Sequence, residues 1–244
     1  HGATIIDKKV DRVDLKGDVK LIFDENGVEY TSKAVIVATG SKPVRLGIAD
    51  EDKYWANGIS SCAVCDGVLF KDKKIVVVGG GDTAMEEALF LTKFSNVTLI
   101  HRRDAFRASQ VMQKRVLAHP KIKIIYNSIV SQLIGTDDNG LSAIVCKDVK
   151  SGLETCIDVD GLFYGLGLKP NTQLFRDTLA MDEDGYILHA KEKTEELSTL
   201  TSIKGVFVAG DAHDKVYRQA IVASGDGCKA AMDANQYIQN TLSS

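Results

Sequence analysis

The residues able to do chemistry concentrate between Ser61 and Arg107 of this 244-residue chain. Cys62 and Cys65 stand two residues apart, with Asp66 directly behind them. Such a pair can close into a small, readily reversible disulfide, one thiol attacking and the other resolving. Zinc would need two further ligands at suitable spacing. The remaining cysteines, Cys146, Cys156 and Cys228, lie far off and form no second pair. Redox chemistry is therefore preferred over a metal site or a structural disulfide. Asp66 fits two roles that the sequence leaves open: a proton shuttle to a departing thiolate, or a turn residue before Gly67.

A glycine fingerprint follows at Gly79-Gly80-Gly81-Asp82-Thr83-Ala84. It sits between the apolar run Ile75–Val78 and an amphipathic segment over 82–94, the strand–turn–helix context a dinucleotide site requires. Gly79 permits the tight turn, Gly81 lets the backbone approach a pyrophosphate, and Ala84 keeps helix and strand close. The helix start supplies unpaired N–H donors to phosphate, and Asp82 reads as its N-cap. An NAD site carries an acidic residue about 20 residues on, for the ribose 2′-hydroxyl. This chain has His101, Arg102 and Arg103 there. Cations in that place suit a 2′-phosphate, so the expected cofactor is NADPH.

Those residues need elements to hold them. Residues 1–40 read as β-structure, with a hairpin turn at Asp24–Gly27 and a buried strand over Ala34–Ala38 ending at Thr39-Gly40. Ser41-Lys42-Pro43 and Lys169-Pro170-Asn171 read as paired breaks, candidate hinges on either side of a central domain. From Lys73 to Tyr126 the pattern is strand, helix, strand, helix, strand. Between Ser128 and Val159 it becomes an antiparallel meander with turns at Asp138–Gly140 and Lys150–Gly152. Cys146 and Cys156 flank the second turn and are expected near one another as packing residues. Leu162–Gly167 reads as another buried strand. The tail has a strand from Gly205 ending in the Gly210-Asp211 turn, then a helix over 218–237 with small residues on its first turns. Small residues admit a flat ligand, and Asp211 could hold a sugar-like hydroxyl; tight helix–sheet packing explains the same residues.

Composition sets bounds. With 44 % hydrophobic and 26 % charged residues, the chain has a globular balance and room for two domains. A net charge of −3 with mixed signs points to neither nucleic acid nor an anionic membrane. No apolar run approaches the ~20 residues of a bilayer span. No signal peptide is visible and His1 reads as an internal residue, so any targeting segment is expected to precede it.

Taken together, Cys62–Gly67, Gly79–Ala84, His101–Arg107 and Gly205–Ala231 resemble the low-molecular-weight NADPH-dependent thioredoxin reductases, over essentially the whole chain and in that family's order. The resemblance implies an α/β fold of two dinucleotide-binding, Rossmann-like, three-layer domains. The NADPH domain (47–167) is inserted into a discontinuous FAD domain (1–46 and 168–244). It implies that Cys62 attacks thioredoxin, that Cys65 lies next to the flavin, and that Asp66 is the acid. Arg102, Arg103 and Arg107 match a 2′-phosphate clamp; Ala38-Thr39-Gly40, Gly210-Asp211 and Arg218-Gln219-Ala220 match FAD-contacting segments. FAD and NADPH are the implied cofactors, no metal is expected, and a cytoplasmic homodimer acting on thioredoxin or a thioredoxin-like protein is the implied setting. The family opens with a strand and a GxGxxG loop for the FAD pyrophosphate; neither is present, so the FAD domain is expected to be N-terminally incomplete. Two other readings remain open: a partner-specific disulfide or hydroperoxide-reductase flavoprotein, and a non-catalytic NADPH-binding fragment.

Overall fold

The computed structural model describes residues 2–138, 140–190 and 198–242. The chain begins with β1 (Val10–Asp14), β2 (Lys20–Asp24), β3 (Glu29–Ser32), β4 (Val35–Val37) and β5 (Ser41–Pro43). Next come α1 (Glu51–Tyr54), β6 (Ile59–Ser60), α2 (Ala63–Asp66), β7 (Ile75–Gly79), α3 (Asp82–Leu91), β8 (Val97–Ile100), α4 (Gln110–Leu117) and β9 (Ile122–Ile125). The rest is β10 (Ser128–Thr136), β11 (Gly140–Asp148), β12 (Glu154–Asp158), β13 (Gly161–Gly165), β14 (Leu168–Pro170), β15 (Val206–Val208) and α5 (Ala220–Leu242). Two compact units result: residues 43–168, and residues 1–42 with 169–244.

The central unit is built on a five-stranded parallel sheet in the order β6-β13-β7-β8-β9. Side chains alternate across a strand, and β7 uses that alternation to fill two cores. Ile75 and Val77 pack with Ala84, Met85, Ala88 and Leu91 of α3 and with Val116 of α4. Val76 and Val78 face Val130, Leu133 and Ile144 of the antiparallel sheet β10-β11-β12. Helices thus cover one face and a meander covers the other.

In the second unit β15 pairs parallel with β4. Val206 and Val208 pack with Leu15 and Val37, while Phe207 packs with Ala230, Ala234 and Tyr237 of α5. The hairpin β2–β3 turns as expected, with Asp24 Oδ1 accepting from the N–H of Asn26 (2.9 Å) and Val28 (3.0 Å). No helix among the described residues is long and apolar enough to cross a membrane.

Several expectations change. The two breaks are the short strands β5 and β14, which pair with each other where the chain leaves one unit and returns. Their prolines are tolerated because a two-stranded ribbon consists of edges. The strand at 34–38 is not wholly buried: Ile36 is 38 % exposed, on the opposite side from Val37. Cys146 lies opposite Thr155, and Cys156 opposite Val145, so the period-2 pleat sends the two cysteines to opposite faces. Cys146 is buried, whereas Cys156 is exposed and is not a packing residue. Residue 139, in the turn expected at 138–140, lies outside the described residues.

A methyl group added at Gly165 would stand 2.6 Å from Ala84 Cα, whereas one added at Gly81 meets nothing within 4 Å. Gly165→Ala should therefore cost about 1–3 kcal/mol through overpacking, and Gly81→Ala less than about 1 kcal/mol. Urea unfolding of the two variants measures the difference; equal losses would contradict this account of helix–sheet contact.

Candidate active site

The glycine loop lies where β7 gives way to α3. Gly79 has a φ of +153°, and any Cβ there would run into the Gly165 carbonyl and Ala84. The N-cap of α3 is Gly81; Asp82 is the first helical residue. Asp82 therefore is not the cap. Its Oδ1 accepts from the N–H (2.9 Å) and hydroxyl (2.8 Å) of Ser109, bonds that hold its carboxyl below the usual range.

The basic segment folds back onto this loop. The N–H groups of Arg107 (2.8 Å) and Ala108 (3.1 Å) both donate to the Gly80 carbonyl. His101 is not one of the exposed cations. It is 5 % exposed, stands where a Gly80 side chain would go, and bonds Ala105 O through Nε2 at 3.0 Å. Burial, with Arg103 and Arg102 adding like charge, depresses its pKa and favours the neutral ring. Arg102, Arg103 and Arg107 are exposed, and none is in an ion pair among the described residues. Thr83 is half-buried in the first turn of α3.

Cys62 and Cys65 are joined by a disulfide. Cys62 caps α2, its Sγ accepting from the Cys65 N–H at 3.2 Å. Cys62 is half-buried and Cys65 exposed. Asp66 closes the same turn, and its Oδ2 accepts from the Ser60 hydroxyl at 2.6 Å. Ser60 Oγ in turn accepts from the Cys62 N–H at 3.0 Å, so one serine links the carboxylate to the dithiol. Helix α2 packs on α3 through Ala63, alongside Ala84, Met85 and Ala88. Dithiol and glycine loop are thus carried by one helix.

In the other unit an open cleft of about 420 Å³ is lined by Ala38, Gly40, Gly210, Asp211, Arg218, Gln219 and Ala220, joined by Ser41, Ala209, Ala223 and Gly227. The expected residues from three distant segments therefore meet. Thr39 borders this region through its carbonyl, which accepts from Asn171 Nδ2 at 2.9 Å. Asp211 Oδ2 accepts from the Ser41 hydroxyl at 2.9 Å. Arg218 Nε is buried without a hydrogen-bond partner. A Cβ at Gly40 or Gly227 would meet nothing within 4 Å.

Two participants escaped the sequence reading. Ser60 had no signal beyond preceding the cysteines. Glu87 had one: an acid within the buried Ala84–Ala88–Leu91 stripe of α3. Burial pushes its carboxyl from 4.5 up to about 8.

A reversible disulfide packed on a dinucleotide helix defines an oxidoreductase that couples a pyridine nucleotide to disulfide exchange. Residues 1–227 match the pyridine nucleotide-disulphide oxidoreductase family. A thioredoxin reductase of Streptomyces clavuligerus is 47 % identical over 238 residues, covering 97 % of this chain and 72 % of that protein. Among solved structures, the thioredoxin reductase of Giardia duodenalis superposes with a TM-score of 0.87 at 38 % identity, covering 98 % of this chain and 76 % of that one. That of Streptococcus pyogenes gives 0.86 at 37 % identity, with coverage of 96 % and 74 %. The chain belongs to the pyridine nucleotide-disulphide oxidoreductases and, within them, to the thioredoxin reductases, with their two Rossmann-like domains.

The raised Glu87 carboxyl makes stability depend on pH. Its folded-state pKa exceeds the unfolded one, so its contribution is full below 4.5 and is lost as pH rises through about 8. Wild-type stability should fall relative to Glu87→Gln by a few kcal/mol over that range, since a tenfold change in a proton-binding constant is worth about 1.4 kcal/mol. Urea midpoints at about pH 5 and about pH 9 test the slope; parallel curves for the two proteins would refute it.

Proposed function

We propose that this protein reduces the disulfide of thioredoxin, or of a thioredoxin-like protein, with electrons from NADPH relayed by bound FAD and the Cys62–Cys65 pair. The observation that carries this reading is the disulfide helix α2 seated on α3, the helix that also opens from the glycine loop. The open space at Gly81 and the first N–H groups of α3 fit a pyrophosphate. Exposed Arg102, Arg103 and Arg107, with Arg107 tied to Gly80, fit a 2′-phosphate. His101 supports that loop by packing. On this reading 47–167 is the NADPH domain.

The second cleft fits FAD: its glycines leave room for a flat group, Asp211 can take a hydroxyl, and the unmet Arg218 Nε can donate. On this reading Ala38, Thr39, Gly40, Gly210, Asp211, Arg218, Gln219 and Ala220 hold FAD, and 1–46 with 168–244 is its domain. Bound flavin would supply the two-electron relay between nicotinamide and disulfide.

After reduction the Cys62 thiolate attacks one sulfur of the partner's disulfide, forming a mixed disulfide and releasing the other partner sulfur as a thiolate. Cys65 then attacks Cys62 Sγ, restoring the pair and releasing the second partner sulfur. Asp66, held by Ser60, donates a proton to a departing thiolate. Val64, between the two cysteines, and Val68 and Leu69, which follow them closely in sequence, are 61, 59 and 65 % exposed, which supports a protein partner. Homodimeric assembly and a cytoplasmic location complete the reading.

Replacing Arg102 and Arg103 with alanine should each remove a charge-assisted contact worth ~1.5–3 kcal/mol, raising the Kd for NADPH about tenfold or more per residue. Affinity for NADH should barely change; titration of both nucleotides decides, and equal losses would sink the assignment.

Cys62→Ser and Cys65→Ser should each abolish disulfide reduction in the holoenzyme while sparing hydride transfer from NADPH to flavin. Stopped-flow flavin absorbance beside a disulfide-reduction assay separates the half-reactions. Equal damage from Cys146→Ser or Cys228→Ser in a folded protein would show the pair to be incomplete.

A further inference from the structure

The cleft read as the FAD site has one cation among its lining residues, Arg218, and the other lining residues do not hold it. Its guanidinium carbon stands over the ring of Tyr186, 5.9 Å from the centroid and within cation–π range. Tyr186 is 3 % exposed and is not itself among the lining residues. Its hydroxyl is buried with no hydrogen-bond partner among the described residues, so the fold makes use of the ring rather than the phenol group. Burial raises the phenol pKa and keeps the side chain neutral.

The ring is fixed by the turn it closes. Met181 and Ile187 form an antiparallel bridge, and the Asp182 carboxylate organises the residues between them. Asp182 Oδ1 accepts from the N–H of Asp184 (3.0 Å) and of Tyr186 (2.9 Å), and the Asp182 N–H donates to the Tyr186 carbonyl at 2.9 Å. The other oxygen, Oδ2, accepts from Lys215 Nζ at 2.7 Å, three residues before Arg218. One carboxylate thus holds the Tyr186 turn with one oxygen and the loop leading to Arg218 with the other. Against the burial that would raise it, Lys215 and the Tyr186 N–H hold that carboxyl below the usual range. A further tie is the Ile187 N–H, which donates to the carbonyl of Ala212, the neighbour of Asp211, at 3.0 Å.

We propose that Asp182 and Tyr186 are positioning residues for flavin binding: the turn they form backs Arg218 and keeps its guanidinium in place for the bound flavin. This rests on the reading of the cleft as the FAD site. Arg218 Nε is buried and unmet among the described residues, a donor left for a ligand. A long side chain free to rotate would lose rotamer freedom at each binding event, and holding it beforehand removes that cost. A planar guanidinium stacks on an aromatic face, a support that an aliphatic side chain cannot supply. Lys215 does not compete for the flavin, because its charge is met by Asp182 and, at 3.7 Å, by Asp184.

A double-mutant cycle on FAD affinity in the full-length protein tests this. FAD is titrated into the flavin-free protein and binding is read from the change in flavin fluorescence, with urea unfolding of each flavin-free variant alongside. Tyr186→Leu should raise the Kd for FAD about tenfold, and Tyr186→Phe, which keeps the ring, less than about twofold. In an Arg218→Ala background Tyr186→Leu should cost no more than about twofold further, because the group it supports is gone. An unchanged Kd in folded Tyr186→Leu, the same loss in both backgrounds, or a Tyr186→Phe protein as weak as Tyr186→Leu would each overturn the proposal. If Tyr186→Leu does not fold, Lys215→Ala decides, since it removes an exposed side chain and frees Asp182 from the loop. That variant should raise the Kd about threefold, and an unchanged Kd overturns the proposal. An Arg218→Ala protein that binds FAD as tightly as wild type would instead defeat the flavin reading of the cleft, and this inference with it.

Discussion

The close approach of α3 to β7 and β13 is the contact on which the rest of the central unit depends. Gly79 and Gly165 have no side chains where Ala84 meets the sheet, and a methyl group on either strand would push the helix away. Seated this low, α3 directs its free N–H groups over the carboxyl edge of a parallel sheet, where a dinucleotide phosphate is best received. The same seating fixes the flank on which α2 rests through Ala63. The positions of the nucleotide loop and the disulfide are therefore not independent variables. A shift of the helix moves both.

Charge is distributed around that helix in a consistent way. Arg102, Arg103 and Arg107 stay in solvent, where their fields are screened within about 8 Å at physiological salt. On the reading proposed above, selection of a 2′-phosphate would come from short, directional N–H contacts, and residues 107–109 are anchored to Gly80 and Asp82. Inside, the logic is inverted. His101 and Glu87 are titratable groups whose burial favours their uncharged forms. His101 thereby becomes a wedge under the loop, packed where a Gly80 side chain would stand, and Glu87 is held as an uncharged acid.

How much of this was legible depended on range. Local chemistry was readable: the Cys62–Cys65 spacing, the strand–turn–helix around Gly79–Ala84, the continuous apolar runs that became β7 and β13, and the turn-punctuated meander. What failed was whatever depended on contacts distant in sequence or on a one-residue register. Asp82 looks like a helix cap by type, yet its partner is Ser109, 27 residues on. His101 looks cationic beside two arginines, yet the bare Gly80 backbone pulls its ring inside. Cys146 and Cys156 flank a turn, but the pairing register decides faces and turned them apart. The prolines at 43 and 170 read as breaks because the ribbon that accommodates them forms between segments more than a hundred residues apart.

The outer unit applies the opposite economy, assembling its cleft from segments rather than from one motif. The parallel pairing of β15 with β4 brings Gly210-Asp211 alongside residues 38–41, and the Ser41–Asp211 hydrogen bond ties the two strand ends together. The third segment arrives through strain. Arg218 has a φ of +50°, a left-handed conformation that costs a residue with a side chain about 1–3 kcal/mol. Asp214 offsets this: its carboxylate accepts from the N–H groups of Val216 (2.8 Å), Tyr217 (3.0 Å) and Arg218 (3.0 Å). That clamp reverses the chain just before α5, so Gln219 and Ala220 enter the cleft as the helix begins. Without Asp214 the left-handed turn would have no local support, and the small-residue face of α5 would lose its fixed relation to Asp211. The cleft is therefore shaped by a residue that does not line it.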